Sequence, residues 1–307
     1  MHKKIGSYIA WLAMKGAVGA ASLLPLPVLF AAFGGLAAAA RAAGIRRRVV
    51  RVNLSAAFGK DLTQRELDGI ERDCYAEYGR IVSEIIASDR ILRRKEENFE
   101  IVGLPILEEA IRGNKGLLLL TGHMGNFIVG AHCMQAMGFR MSVVAKRVAN
   151  EYMNREIGKI YGRGAAVISV RGFKNDPQGG LKLYRGLKRG DVVNALIDQD
   201  AGPEGFRTVF FGLPTYLPPG PARFAHRAGV AVTTGFATRE GGRIRIEIQP
   251  PIDYSSAGSP EEAEKIILDE YSRRLEETVR KCPEQYFWFH KKWKALPEIR
   301  ARYEGRG

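Results

Sequence analysis

Between Gly116 and Ile197 short apolar runs recur, Leu117–Leu120, Met141–Ala145, Ala165–Val170 and Val192–Ile197, separated by stretches long enough for helices. Apolar runs of that length, bounded by turn residues, read as strands buried on both faces. Strands alternating with helices predict an α/β fold, a mixed sheet flanked by helices. Ile244, Ile246 and Ile248 alternate with Arg243, Arg245 and Glu247, the period-two pattern of a strand with one face in the core and one toward water. Leu67, Ile70, Cys74, Tyr78, Ile81 and Ile85 recur every three or four residues, which predicts a helix over about 62–92, opened by a Thr63–Glu66 capping box. The segment 261–281 returns to helical spacing. No repeat or low-complexity linker interrupts residues 46–295, so one domain with a helical preface is expected.

The N-terminal region obeys a different pattern. From Gly16 to Ala40 no charge occurs, and a run of that length can cross a hydrocarbon layer as a helix. Residues 1–45 are therefore read as a membrane anchor and residues 46–307 as the folded domain. Pro25 and Pro27 would kink a spanning helix, which leaves a hairpin or an interfacial segment open, and a cleaved signal peptide and a buried core helix are the competing readings. Arg41, Arg46, Arg47, Arg48 and Arg51 follow the run. By the positive-inside rule this basic cluster keeps the folded domain on the cytoplasmic side, with arginines able to grip anionic head groups; the alternative is a solvated basic helix end. Of 307 residues 47 are Lys or Arg and 33 Asp or Glu, a net charge of +14. Such an excess favours an acidic partner: nucleic acid, a lipid head group or an acidic protein. Cys74, Cys133 and Cys282 are odd in number and widely spaced, which excludes a disulfide framework and a cysteine-rich zinc site.

Three stretches carry candidate chemistry. In Thr121-Gly122-His123-Met124-Gly125-Asn126-Phe127 an apolar strand runs into a Gly-flanked turn, placing His123 where open α/β sheets bind ligands. There a histidine can act as general base on a hydroxyl, while Gly125 and Asn126 help hold a carbonyl oxygen or position substrate. The alternative is a loop histidine satisfied by backbone. Asp198-Gln199-Asp200-Ala201-Gly202 is a second strand end. Its two carboxylates could bind a metal, hold substrate or orient a base, or form a turn that bonds its own backbone; the ligand series of a calcium loop is missing, and no metal or cofactor is expected. In the third stretch, 285–294, aromatics are interleaved with lysines. That pattern suits a membrane interface, nucleic-acid stacking, or core aromatics with lysines reaching outward. No G-x-S-x-G, H-E-x-x-H or G-x-x-x-x-G-K-[ST] motif occurs, which removes the serine hydrolase, zincin and P-loop classes as written.

In order and spacing these features resemble the bacterial lipid A late acyltransferases, the Kdo-lipid A lauroyl/myristoyl type within the lysophospholipid acyltransferase superfamily. The resemblance rests on the N-terminal apolar run, Asn53 with Phe58, Gly122 to Phe127, Asp198 to Gly202, Val209-Phe210-Phe211-Gly212, and Trp288 to Lys294. It implies a membrane-bound enzyme that moves a fatty acyl group from acyl carrier protein, or another acyl thioester, to a hydroxyl of a phosphorylated glycolipid such as a lipid A precursor. Nucleic acid is then not an expected partner. Arg163, Lys146 and the basic cluster are implied phosphate contacts. One position departs from the family: its motif places an acid five residues after the histidine, and here that residue is Ile128. Three readings remain open. Asp198 or Asp200 supplies the carboxylate, His123 works unassisted, or the chain binds lipid or acyl carrier protein without transfer.

Overall fold

A computed structural model describes residues 2–112, 115–146, 156, 158–160, 166–170 and 177–305. Its strands are β1 (Phe99–Val102), β2 (Leu117–Thr121), β3 (Met141–Lys146), β4 (Ala166–Val170), β5 (Val192–Leu196), β6 (Phe206–Phe210), β7 (Leu213–Leu217), β8 (Ala231–Glu240) and β9 (Arg243–Ile248). Seven of them form one sheet in the order β1-β9-β8-β2-β5-β3-β4, and β6 pairs with β7 in a separate hairpin. Every pairing in the large sheet is parallel except β8 with β9. That hairpin turns through Gly241 and Gly242, both at positive φ, where a side chain would be strained.

The four leucines of β2 explain its central place. Leu118 and Leu120 enter one core with Val50, Leu54, Leu183 and Tyr271. Leu117 and Leu119 enter the other, with Val129, Cys133 and Ile246. Alternation along a strand sends successive side chains to opposite faces, so a strand covered on both faces must be apolar throughout. On β9, Ile244, Ile246 and Ile248 are buried while Arg245 pairs with Glu100 at the surface, as the alternation predicts.

The helices are α1 (His2–Ser22), α2 (Leu26–Ala42), α3 (Arg47–Phe58), α4 (Gln64–Ile86), α5 (Ser88–Leu92), α6 (Lys95–Asn98), α7 (Leu104–Ala110), α8 (Phe127–Ala136), α9 (Pro177–Lys188), α10 (Gly220–Ala228), α11 (Pro260–Lys281) and α12 (Pro297–Glu304). Thr63 and Glu66 cap α4 reciprocally. The helix stops at Ile86, short of Leu92, and resumes as α5. Ile85, Ala87 and Ile91 all pack into one core across the break, so the apolar period hides it.

The single helix expected across Gly16–Ala40 does not form. Its chain breaks after Ser22, and α2 starts behind Pro25 with Pro27 in its first turn, where a missing N–H leaves no intrahelical bond unmade. Among the described residues no single helix is long and apolar enough to cross a membrane. The pair α2 and α3 has the length and composition, but it is bent by 83°, and α3 buries Val50, Asn53 and Leu54 in the domain. Helix α2 also packs on α4: Leu29 is fully buried, and a Cβ at Gly79 would lie 2.7 Å from the Phe33 carbonyl oxygen. Leu23 in the break between α1 and α2 is 85% exposed, and Leu36 on α2 62%.

Candidate active site

Strand register builds the site. Strands β2 and β5 are parallel neighbours, with Thr121 opposite Leu196. Continuing two residues past the strand ends brings His123 opposite Asp198 at the carboxyl edge of the sheet, the usual place for ligands in open α/β folds. His123 Nδ1 lies 2.7 Å from Asp198 Oδ1. An ionised carboxylate only accepts, so Nδ1 carries the proton and donates it. The Nε2 lone pair is then free of Asp198, and the Gln199 side-chain amide lies 3.4 Å from it, a long contact.

The turn holding His123 is strapped from behind. Phe287 N–H donates to the His123 carbonyl (3.0 Å) and Gly125 N–H to that of Gln285 (2.8 Å). Gly125 has φ +47°, and a Cβ there would stand 2.2 Å from the Ala237 carbonyl oxygen, so glycine is required by the packed β8 backbone. Asn126 is buried: its oxygen caps α8 at Val129 N–H (3.1 Å), and its amide donates to Glu84 (2.8 Å). Arg239 of β8 binds both Glu77 and Glu84 of α4, and Gln285 accepts from the Arg239 N–H at 2.6 Å. Contrary to expectation, Gly125 N–H and the Asn126 amide are engaged within the protein. Both hold the loop rather than a substrate oxygen.

Asp198 is closed off from water. Burial alone would raise its carboxyl pKa, but the charge and hydrogen bond of His123, then the charge of Lys292, outweigh it and hold the group at about 2. Lys292 is itself buried. Its Nζ donates to the Asp198 carbonyl and lies 4.6 Å above the Phe210 ring, while burial pulls its pKa down to about 8 against the opposing pull of Asp198 and Asp200. Tyr286 faces the same carboxylate; burial first, then the charge of Asp198, push its phenol well above the ordinary value. Asp200 is not part of the pair. Its Oδ1 accepts from Gly202 N–H at 2.7 Å and its carbonyl from Lys294 at 3.0 Å, the self-bonding turn. Trp288 and Trp293 are core residues, as the reading of core aromatics expects, while Phe287 and Phe289 are half-buried. Lys292 points inward where outward lysines were one expectation.

A pH prediction follows. Because the folded pKa of Asp198 lies below its ordinary 3.8, the unfolded chain binds more protons between those values. The stability it contributes is complete above about pH 4 and is lost as pH falls toward about 2. Denaturant unfolding across that window should be flatter in Asp198→Asn than in wild type; equal slopes would show that the pair does not act as described.

The His123 side chain opens on a narrow cleft lined by Tyr78, Ile81, Phe127, Phe287 and Phe289, with about 30 Å³ of free volume, room for roughly one water. The rings touch: His123 to Phe127 (5.0 Å between centroids) and to Phe287 (5.8 Å). Phe127 also borders an apolar cavity beneath it, lined by Leu119, Met134, Gly235 and Ile246. Two larger cavities, about 590 and 720 Å³, lie beside the end of α8 and between β6 and α11, and neither contains His123. Among the described residues no three His, Cys, Asp or Glu side chains converge as a metal site would need. Ile128 is buried on the first turn of α8. Arg163 lies outside the described residues, and Lys146 is described only as the last residue of β3. Sequence reading quoted Gln199 and Lys292 without giving them a role at His123 and Asp198, and missed the Glu77–Glu84–Arg239 support; adjacency to Asp198 was the only signal for Gln199.

Fold and site together define a mixed α/β protein with a histidine–carboxylate pair at the sheet edge, beside an aromatic-lined cleft. Residues 2–295 match the family model of bacterial lipid A biosynthesis acyltransferases, and the chain belongs to that family. Among similar proteins, the phosphatidylinositol mannoside acyltransferase of Mycobacterium tuberculosis (strain ATCC 25618 / H37Rv) is 27% identical over 203 residues, 64% of this chain and 63% of the relative. That of Mycolicibacterium smegmatis is 26% identical over 211 residues, 67% and 68% of the two chains. Lipid A biosynthesis acyltransferase 2 of Shigella flexneri is 25% identical over 254 residues, 79% of this chain and 76% of the relative. The first of these alignments thus spans less than two thirds of the mycobacterial relative's length.

Proposed function

We propose that the protein is an O-acyltransferase that moves a fatty acyl group from a thioester, acyl carrier protein in the first instance, to a hydroxyl of a phosphorylated glycolipid at the inner membrane. The observation that carries the reading is the 2.7 Å bond between His123 Nδ1 and the buried carboxylate of Asp198, which leaves Nε2 to take up a proton at a residue that lines the aromatic cleft. As general base, Nε2 takes the proton of the acceptor hydroxyl while its oxygen attacks the thioester carbonyl. Asp198 holds the tautomer and stabilises the imidazolium, the orienting role of the third member in base-assisted acyl transfer. The tetrahedral intermediate then expels the thiolate, which recovers the proton from His123. An ester forms, the C–S bond breaks, and charge balances throughout. The Gln199 amide, beside Nε2, is placed to donate to the reacting oxygens.

Membrane attachment is proposed through the exposed apolar residues of α2 and of the break before it, which lie in the interface instead of spanning it; Leu23, Val28 and Leu36 are exposed and basic residues flank them. The catalytically silent reading drew on Ile128, and it loses that support because Asp198 already supplies the carboxylate. The test is a transfer assay on purified full-length protein, with a panel of acyl carrier proteins, coenzyme A thioesters, lipid A precursors and mannosylated phosphatidylinositols, read by mass spectrometry. An acylated glycolipid that disappears in Asp198→Asn supports the reading. Absence of product from every pair, with the protein folded, sinks it.

A further inference from the structure

Away from His123, the turn between α2 and α3 gathers three arginines around one buried carboxylate. Gly44 (φ +74°) and Arg46 (φ +60°) reverse the chain, so Arg41 at the end of α2 and Arg47 at the start of α3 face the same point on α4. Arg41 Nε and Arg47 Nε stand 3.0 and 2.7 Å from Glu71 Oε1, and Arg51 Nε 2.6 Å from Oε2. Asp68 takes one terminal nitrogen of Arg51 at 3.1 Å. Tyr75, one turn along α4, pins the turn by donating to the Ile45 carbonyl at 2.5 Å.

This is more positive charge than a counter-ion needs. Three guanidinium groups face two carboxylates, and Arg46 and Arg48 are exposed nearby. Each arginine meets Glu71 edge-on through Nε, and among the described residues the terminal nitrogens of Arg41 and Arg47 make no hydrogen bond. A guanidinium fork matches phosphate oxygens bidentately. Glu71 offsets the mutual repulsion of the three and holds them in one place; burial opposes its ionised form, but the hydrogen bonds and charges of Arg51 and Arg47 keep its pKa below the ordinary value. Independently, Leu36 and Ile45 beside the cluster are more than half exposed, an apolar rim that a soluble anion would not need. On the other side, Tyr75 touches Phe289, Phe289 touches Phe287, and Phe287 touches His123, so the cluster and the base lie at two ends of one aromatic strip.

We propose that Arg41, Arg47 and Arg51, clamped by Glu71, bind the phosphate of a lipid head group. The proposal deepens the functional reading, since it rests on a phosphorylated lipid acceptor, but its test does not need turnover. Full-length protein is bound to neutral phosphatidylcholine vesicles, to the same vesicles with phosphatidic acid, and to inorganic phosphate in solution. Wild type should bind the phosphatidic acid vesicles at least tenfold tighter than neutral ones, and His123→Gln should do the same even though transfer is lost. The triple variant Arg41→Lys, Arg47→Lys, Arg51→Lys keeps the net charge and a cation beside Glu71, so it should fold, and its preference should fall to about threefold or less. The variant Arg41→Gln, Arg47→Gln, Arg51→Gln, Glu71→Gln removes the charges together and should lose the preference with neutral-vesicle binding retained. Competition by millimolar inorganic phosphate would support the same site with a soluble source. A lysine variant that binds phosphatidic acid vesicles as wild type does would overturn the proposal, charge alone then being sufficient, as would a wild type without preference.

Discussion

His123→Gln is expected to slow acyl transfer by roughly 10²- to 10⁴-fold, the range for losing a positioned general base, while the protein melts close to wild type. Glutamine is the better probe than alanine because it retains an N–H donor beside Asp198. A buried carboxylate whose partner is deleted outright costs about 3–5 kcal/mol, and that loss would confuse folding with chemistry. Asp198→Asn should lower transfer by at least about 10²-fold, because an asparagine facing Nδ1 no longer selects the tautomer with a free Nε2 lone pair. The two changes should not multiply. Residues that act as one unit lose most of their effect with the first substitution, so the double variant should be within about a factor of ten of the worse single one. Initial rates under saturating thioester, with thermal melts on the same preparations, measure this. Independent, multiplying losses would mean that Asp198 does not act through His123.

Ile128→Glu carries the second large effect, on stability. The position is the one where the family resemblance expects an acid, yet Ile128 is 9% exposed and the Nδ1 proton of His123 is already taken by Asp198. A glutamate there forfeits the burial of an isoleucine, about 1.5–3 kcal/mol, and places a carboxyl among apolar groups, which either costs more or raises its pKa until it is neutral. The first turn of α8 offers a partial offset through the helix dipole, about 0.3–1 kcal/mol. The expected net loss is about 2–4 kcal/mol, with no gain in rate. Chemical unfolding and transfer assays read the two arms. A faster enzyme of unchanged stability would assign the orienting role to the position on α8 and take it from Asp198.

Much of this was legible in the chain. The four apolar runs became β2 to β5, and β2 shows the reason: its successive leucines enter the cores on both faces of the sheet. The α4 start was legible because the capping box is a local bond between residues three apart. His123 was found as a candidate because strand, glycine and turn chemistry are also local. For Gly16–Ala40 a single spanning helix was one expectation, and the break at 23–25 falls beside Pro25 and Pro27, the residues that mark a kink in the sequence while lack of charge measures only length in lipid.

What the sequence by itself determined was the set of local elements, the α/β class and the histidine. Only the tertiary structure chose between Asp198 and Asp200. The β2–β5 register puts the first opposite His123, 75 positions away in the chain, whereas the second lies in the loop beyond the strand and accepts from Gly202 N–H. Tertiary structure likewise turned Lys292 inward and drew Arg41, Arg47 and Arg51 onto Glu71. Charge partners are selected by distance in space, and distance between elements is set by strand pairing and helix packing, which no spacing within one element records.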